Sequence, residues 1–186
     1  MHILTIYGSL REKSINKALA FAIKKQVPEG MTVEVIGLGT LPLYNQDNEL
    51  TEYPEYAREV KEKIAAADGV LIVTPEYNRA PPGALKNLLD WTSRPEGKMP
   101  WSGKPVGVLG ASNGLRGASF AQYDIRRILG YFDANVMGQP EFYFHEAPKK
   151  IDENQEIVDA KTLEVLGRFL TAFKTFVQNA RKTSSQ

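Results

Sequence analysis

Residues Gly8–Asn16, reading GSLREKSIN, concentrate anion-binding chemistry directly after the mostly apolar run Ile3–Tyr7. That succession predicts a strand end, a tight loop and the first turn of a helix. A helix start leaves backbone N–H groups without intrahelical partners and carries partial positive charge, so both effects stabilise an anion placed there. Gly8 is expected to let the backbone come close. Ser9, Ser14 and Asn16 offer short polar side chains, and Arg11 adds a planar, permanently charged fork suited to phosphate oxygens. The loop lacks the Lys-Ser/Thr pair of GxxxxGK[ST] and the glycines of GxGxxG, which points away from a triphosphate or dinucleotide site and toward a monophosphate. The plainer alternative is that Ser14 only caps the helix while Arg11 lies in solvent.

The elements that must position this loop follow from hydrophobic periodicity. Short apolar runs alternate with helical patterns, as in a parallel sheet covered by helices on both faces. His2–Tyr7 is the first strand, and Ile15, Leu19, Ile23 and Val27 then recur on one helical face. Thr32–Leu38 is the second strand, and Pro54–Ala67 a helix with Val60, Ile64 and Ala67 inward. Gly69–Thr74 (GVLIVT) is continuously apolar, as a central parallel strand is. A helix over Gly83–Thr92, a strand over Pro105–Gly110 and a helix over Ala118–Leu129 follow, then a broken fifth strand within Val136–Phe144. A long amphipathic helix over Asp159–Arg181 presents Leu163, Leu166, Leu170, Phe173 and Val177 on one side. Residues 1–182 read as one α/β domain, and Thr183–Gln186 is expected to fray.

In such an open sheet, ligands bind beyond the carboxyl ends of the strands, where strand order reverses. Three polar loops qualify. Gly8–Asn16 is the first; the second runs from Thr74 to Gly83 through Pro75, Glu76, Tyr77, Asn78 and Arg79; the third runs from Gly110 to Gly117 through Ser112, Gly114 and Arg116. The second can lay backbone groups, the Asn78 amide and the Tyr77 ring against a flat heterocycle, and the third supplies glycines for close approach. Together with a phosphate loop, that suits flavin mononucleotide (FMN). The structural alternative has Pro and Gly merely shaping turns while Tyr77 plugs the core.

Composition removes other classes. The 186 residues, 42% of them hydrophobic, suffice for one sizeable core. Twenty-three Lys and Arg against 22 Asp and Glu leave a net charge of +1, no general reason to expect nucleic acid or an acidic membrane as partner. The chain has no cysteine, so disulfides, thiolate metal sites and thiol nucleophiles are excluded, and any electron transfer falls to a cofactor. No apolar run approaches a membrane span and no basic, apolar leader precedes the first strand, so the cytoplasm is the expected location. His2 and His145 lack ligand spacing, which makes a metal site improbable. Trp91, Trp101, Tyr131, Phe132, Phe142, Tyr143 and Phe144 are expected in the core or between subunits.

GSLREKSIN, TPEYNRAPPGALKNLLDW and KPVGVLGASNGLRGASFAQYDIRRIL resemble, in order and spacing, three segments of the NADPH-dependent FMN reductase family, which includes bacterial quinone and chromate reductases. The resemblance runs from about residue 2 to residue 180. It implies a flavodoxin-like fold with a five-stranded parallel sheet in the order 2-1-3-4-5. It also implies that Ser9, Arg11, Ser14 and Asn16 bind the FMN phosphate, that Pro75, Glu76, Tyr77 and Asn78 meet the isoalloxazine and ribityl portions, and that Ser112, Gly114 and Arg116 lie on the other side. Subunits would form homodimers or homotetramers with flavin sites near their boundaries. Ala80-Pro81-Pro82-Gly83 departs from the family's usual Ser-aliphatic-Pro-Gly, losing a hydroxyl and stiffening the loop.

The activity implied is hydride transfer from NADPH or NADH to bound FMN, then reduction of a small-molecule acceptor such as a quinone, flavin, chromate or azo compound in the same place. The cofactor carries the chemistry and no dedicated acid or base is required, so the Glu76 carboxylate is expected to point to solvent. Arg79 and Arg94 flank the expected mouth as candidate contacts for the dinucleotide phosphates or an anionic acceptor, with solvated surface charge as the plainer alternative. The second reading is a flavodoxin-like FMN electron carrier that oxidises no pyridine nucleotide; the balanced charge argues against it, since shuttles carry a single-sign docking surface. A receiver domain would need acidic residues where Tyr7-Gly8-Ser9 stands.

Overall fold

The computed structural model describes residues 1–95 and 99–183. Strand and helix alternate as β1 (His2–Tyr7), α1 (Ile15–Gln26), β2 (Thr32–Ile36), α2 (Glu55–Ala66), β3 (Gly69–Thr74), α3 (Gly83–Thr92), β4 (Pro105–Ala111), α4 (Ser119–Tyr131), β5 (Asn135–Val136), β6 (Phe142–Phe144) and α5 (Ala160–Thr183). All strands join one parallel sheet ordered β2-β1-β3-β4-β5, with β6 also on β4. The order is the expected one, but the fifth strand divides in two. β5 pairs with Pro105–Val106 and β6 with Leu109–Ala111. Between them stands Met137-Gly138-Gln139-Pro140, and a proline has no N–H to continue a ladder.

The sheet is covered on both faces because side chains alternate along each strand. Ile3, Leu71, Val73 and Leu109 join α1 and α5 in one buried cluster, while Leu4, Ile6, Val70, Ile72 and Val108 join α2, α3 and α4 in the other. β3 and β4 are buried at every position. Small residues set the spacing: a Cβ on Gly107 would lie 3.1 Å from the Phe173 ring of α5. Leu166, Leu170, Phe173 and Val177 of that helix are fully buried, as its stripe predicts, with Leu163 half-buried.

Several boundaries move by a residue or two. β2 stops at Ile36 rather than Leu38, where the Tyr56 hydroxyl takes the Gly37 carbonyl as acceptor at 2.7 Å. α4 starts at Ser119 because Ala118 adopts a left-handed φ of 62°. α5 runs to Thr183, and the remaining residues for which fraying is expected, 184–186, lie outside the described ones. Trp91 and Trp101 are fully buried with their indole N–H groups donating to Pro42 O and Thr92 Oγ1, whereas Tyr131 is 82% exposed. His2 and His145 sit near the surface, each beside a glutamate. Among the described residues no helix is long and apolar enough to cross a membrane.

Candidate functional site

The three loops beyond the carboxyl ends of β1, β3 and β4 meet around one cavity of about 660 Å³. Its walls carry Ser9, Arg11, Ser14 and Asn16 from the first loop, Pro75, Glu76, Tyr77 and Arg79 from the second, and Ser112, Gly114 and Arg116 from the third. Strand order reverses between β1 and β3, the switch point where an open α/β sheet leaves a crevice.

The first loop is built from its own backbone outward. Ser14 caps α1, its Oγ accepting from the N–H groups of Asn16 and Lys17 at 3.2 and 3.3 Å. Ser9 Oγ accepts from Arg11 N–H at 3.3 Å. Each hydroxyl therefore keeps its own O–H to give away. The N–H groups of Leu10, Glu12 and Lys13 have no partner among the described residues, and the exposed Arg11 guanidinium has no ion pair there. Backbone donors, two free hydroxyl protons and a cation on a helix start form the donor set a phosphate monoester needs.

Asn16 has a structural part in addition to its place on the cavity wall. Its side-chain amide bonds the Ala111 backbone, donating to O at 3.0 Å and accepting from N at 2.9 Å, so it ties α1 to the end of β4 across β3 and keeps one N–H free among the described residues. Gly8 is likewise structural: a Cβ there would meet Leu85 of α3 at 2.6 Å. In the third loop, a Cβ on Gly110 would lie 2.7 Å from Thr74 O, and one on Gly117, at φ 54°, 2.7 Å from Tyr143. Gly114 alone of these lines the cavity, with open space where a Cβ would stand. Beneath that loop burial, with hydrogen bonds to Glu141 and Tyr123, pushes the Tyr143 hydroxyl well above the ordinary phenol range.

The second loop is a two-residue hairpin closed by reciprocal bonds between Tyr77 and Ala80, each 3.0 Å. Asn78 and Arg79 occupy its corner with left-handed φ of 51° and 69°, the conformation of a type I′ turn. Asn78 is exposed at this corner and is not among the residues that line the cavity. Tyr77 is half-exposed rather than a core plug. The Glu76 carboxylate, 11% exposed, does not face solvent: Oε2 accepts from Phe120 N–H at 2.9 Å and Ala121 N–H at 3.2 Å, capping α4. Arg94 is not at this mouth. The ten residues of α3 span roughly 15 Å, and Arg94 follows their far end, lining a separate hollow with Tyr44 and Tyr131.

One contributor was not anticipated. Phe120, at the start of α4, has the Arg79 guanidinium 5.0 Å and the Arg116 guanidinium 5.7 Å from its ring centre. The signal for it was present, a large aromatic three residues after Gly117 where a helix opens, but only contact between two loops gives it meaning. Asn113 and Leu115 also line the third wall.

A five-position parallel order 2-1-3-4-5 with an anion-ready first loop at the switch point defines a flavodoxin-like, mononucleotide-binding protein. Comparison with known proteins narrows this. The chain belongs to the NADPH-dependent FMN reductase family, whose model matches residues 1–149. It is 43% identical over 181 residues to a 2-hydroxy-1,4-benzoquinone reductase from Burkholderia sp, covering 97% of this chain and 98% of that one. It is 40% identical over 185 residues to a quinone reductase from Escherichia coli (strain K12), covering 97% of each. Among solved structures, the flavoenzyme NAD(P)H:(acceptor) oxidoreductase FerB from Paracoccus denitrificans superposes with a TM-score of 0.88 at 34% identity, over 96% of this chain and 98% of FerB. The protein is an oxidoreductase that uses FMN and NAD(P)H.

Proposed function

We propose that the protein reduces quinones and similar planar acceptors with electrons from NAD(P)H, through FMN held in the cavity between the three loops. The observation that carries this reading is the cavity itself: anion donors at one end, an exposed Tyr77 ring and glycine-bordered backbone at the other. The donor set fits FMN, whose bound ring supplies hydride acceptance and return. Ser9, Arg11, Ser14 and the loop N–H groups bind the phosphate. Pro75 and Tyr77 border the ring on one side, Ser112 and Gly114 on the other, and Asn16 and Glu76 hold the walls in register. The residues' task is to orient donor and acceptor in turn and to exclude water. The relatives named for quinone reduction support a small quinone as acceptor.

The test is direct. FMN-loaded protein should be bleached anaerobically by NADPH or NADH and recoloured by a benzoquinone. With room for one planar partner at a time, double-reciprocal plots at several quinone concentrations should be parallel; intersecting lines would require both substrates bound at once. A protein that binds FMN but ignores both nucleotides would instead be the electron carrier. Residues 1–182 act as one domain in this reading. Tyr123 and Tyr131, exposed on the outer side of α4, suit a surface where copies pair as homodimers or homotetramers, and light scattering checks the mass. A supply of NAD(P)H makes the cytoplasm the working compartment, which cell fractionation tests.

A further inference from the structure

We propose that Arg79 and Arg116, splinted by the ring of Phe120, form a clamp at the cavity wall that grips the 2′-phosphate of NADPH and so selects it over NADH. The inference rests on the NAD(P)H reading above and adds the residues that choose between the two donors.

Two guanidinium groups from different loops converge on one half-exposed ring, at 5.0 and 5.7 Å from its centre, and both line the cavity. Each gains from the ring's negative face, but two cations drawn to one aromatic repel each other. The neighbourhood neutralises them only in part: Arg79 pairs with Glu76 and Arg116 does not. Glu76 Oε1 is 4.0 Å from Arg79, while its other oxygen is engaged at the start of α4. Arg116 has no carboxylate partner among the described residues. The charge that remains suits an anion, and a phosphate monoester carries about 1.5–2 negative charges at neutral pH. Two planar forks match its oxygens.

Three phosphate-bearing ligand groups would come to this cavity, and the chemistry separates them. The FMN monoester has its own donors on the first loop, including Arg11. The pyrophosphate shared by NADH and NADPH is a diester with one charge per phosphorus. Within the pyridine nucleotides, the 2′-phosphate is the dianion, and the first loop does not claim it. Backbone geometry agrees that Arg79 is there for its side chain: it holds φ 69° at a turn position where glycine is favoured. Phe120 is the positioning residue, since it fixes both guanidinium groups without itself offering a charge.

The experiment uses FMN-loaded protein and the variants Arg79→Gly, Arg116→Gln, Phe120→Leu and Phe120→Tyr. Two quantities are read: the ratio of kcat/KM for NADPH to that for NADH with one quinone, and the affinities for adenosine 2′,5′-bisphosphate and 5′-AMP by calorimetry. The wild type should favour NADPH and the bisphosphate. Arg79→Gly and Arg116→Gln should each lower that preference about tenfold, through KM for NADPH, with bisphosphate affinity falling in parallel. Phe120→Leu should lower it too, and Phe120→Tyr should retain it. Arg79→Gly also relieves the turn, so its melting temperature should not fall, which separates lost recognition from lost folding. Equal losses for NADPH and NADH, a loss confined to KM for an anionic acceptor such as chromate, or an FMN dissociation constant raised as much as that of the bisphosphate would each overturn the clamp. Were neither nucleotide to bleach the wild type, the oxidoreductase reading would fall, and the bisphosphate titration would still decide whether the clamp binds its phosphate.

Discussion

At the scale of single residues, the first loop divides its labour between groups that face a ligand and groups that hold the loop. Arg11 belongs to the first kind. Its guanidinium is exposed and free of ion pairs among the described residues, so removing it takes away a charge-assisted contact and little else. Arg11→Ala should weaken FMN binding by about 1.5–3 kcal/mol and leave the melting temperature unchanged. Titration of the apoprotein with FMN checks this; unchanged affinity would take Arg11 out of the phosphate site. Ser9, Arg11 and Ser14 were legible in sequence because a helix start advertises itself through its capping residue. The structural parts of Asn16 and Gly8 were not legible, for a reason that is also physical. A short polar or missing side chain looks the same in sequence whether it serves a ligand or a neighbouring element, and their neighbours, Ala111 and Leu85, lie far along the chain.

At the scale of elements, helix ends carry the couplings. Glu76 reaches from the loop after β3 to the first N–H groups of α4, joining two walls of the cavity. Glu76→Ala should cost about 1 kcal/mol, lowering the melting temperature by roughly 2–4 °C for a chain of this size, and should raise the dissociation constant for FMN by loosening both walls. Calorimetry and the same titration read the two effects; a variant as stable as wild type would deny the cap. At α5, Asp159 accepts from the Thr162 N–H at 2.8 Å and from its hydroxyl at 2.5 Å. These bonds hold the Asp159 carboxyl below the usual carboxylate range. The native state thus favours the ionised form, so the contribution is complete above the unfolded value of about 3.9 and is lost as pH falls through the lower native value. Melting temperatures of wild type and Asp159→Ala should differ at neutral pH and converge under acid conditions; a constant gap would show that the carboxylate is not the source. Elements themselves were legible where periodicity was strong, as in β1, β3, α3 and α5. The fifth strand was not, because one short apolar stretch with Gly138 and Pro140 inside it feeds two separate pairings on β4.

At the scale of the whole molecule, every strand joins one sheet and both faces of that sheet are buried by helices drawn from along the chain. Helix α5 returns to pack on α1 and β4, so neither half of the chain has a core without the other. Unfolding should therefore occur in a single transition, with circular dichroism and tryptophan fluorescence giving the same midpoint; separated midpoints would divide the chain into independent units. The strap made by Asn16 across the sheet then acquires a meaning beyond stability. Because it fastens the start of α1 to the far side of β3, the first and third walls keep their spacing through the protein's own bonds rather than through a ligand's. The entropy of arranging the cradle is spent during folding, before any cofactor arrives. Apoprotein made in a cell short of flavin would thus wait as a finished receptacle, able to load by simple encounter when FMN becomes available.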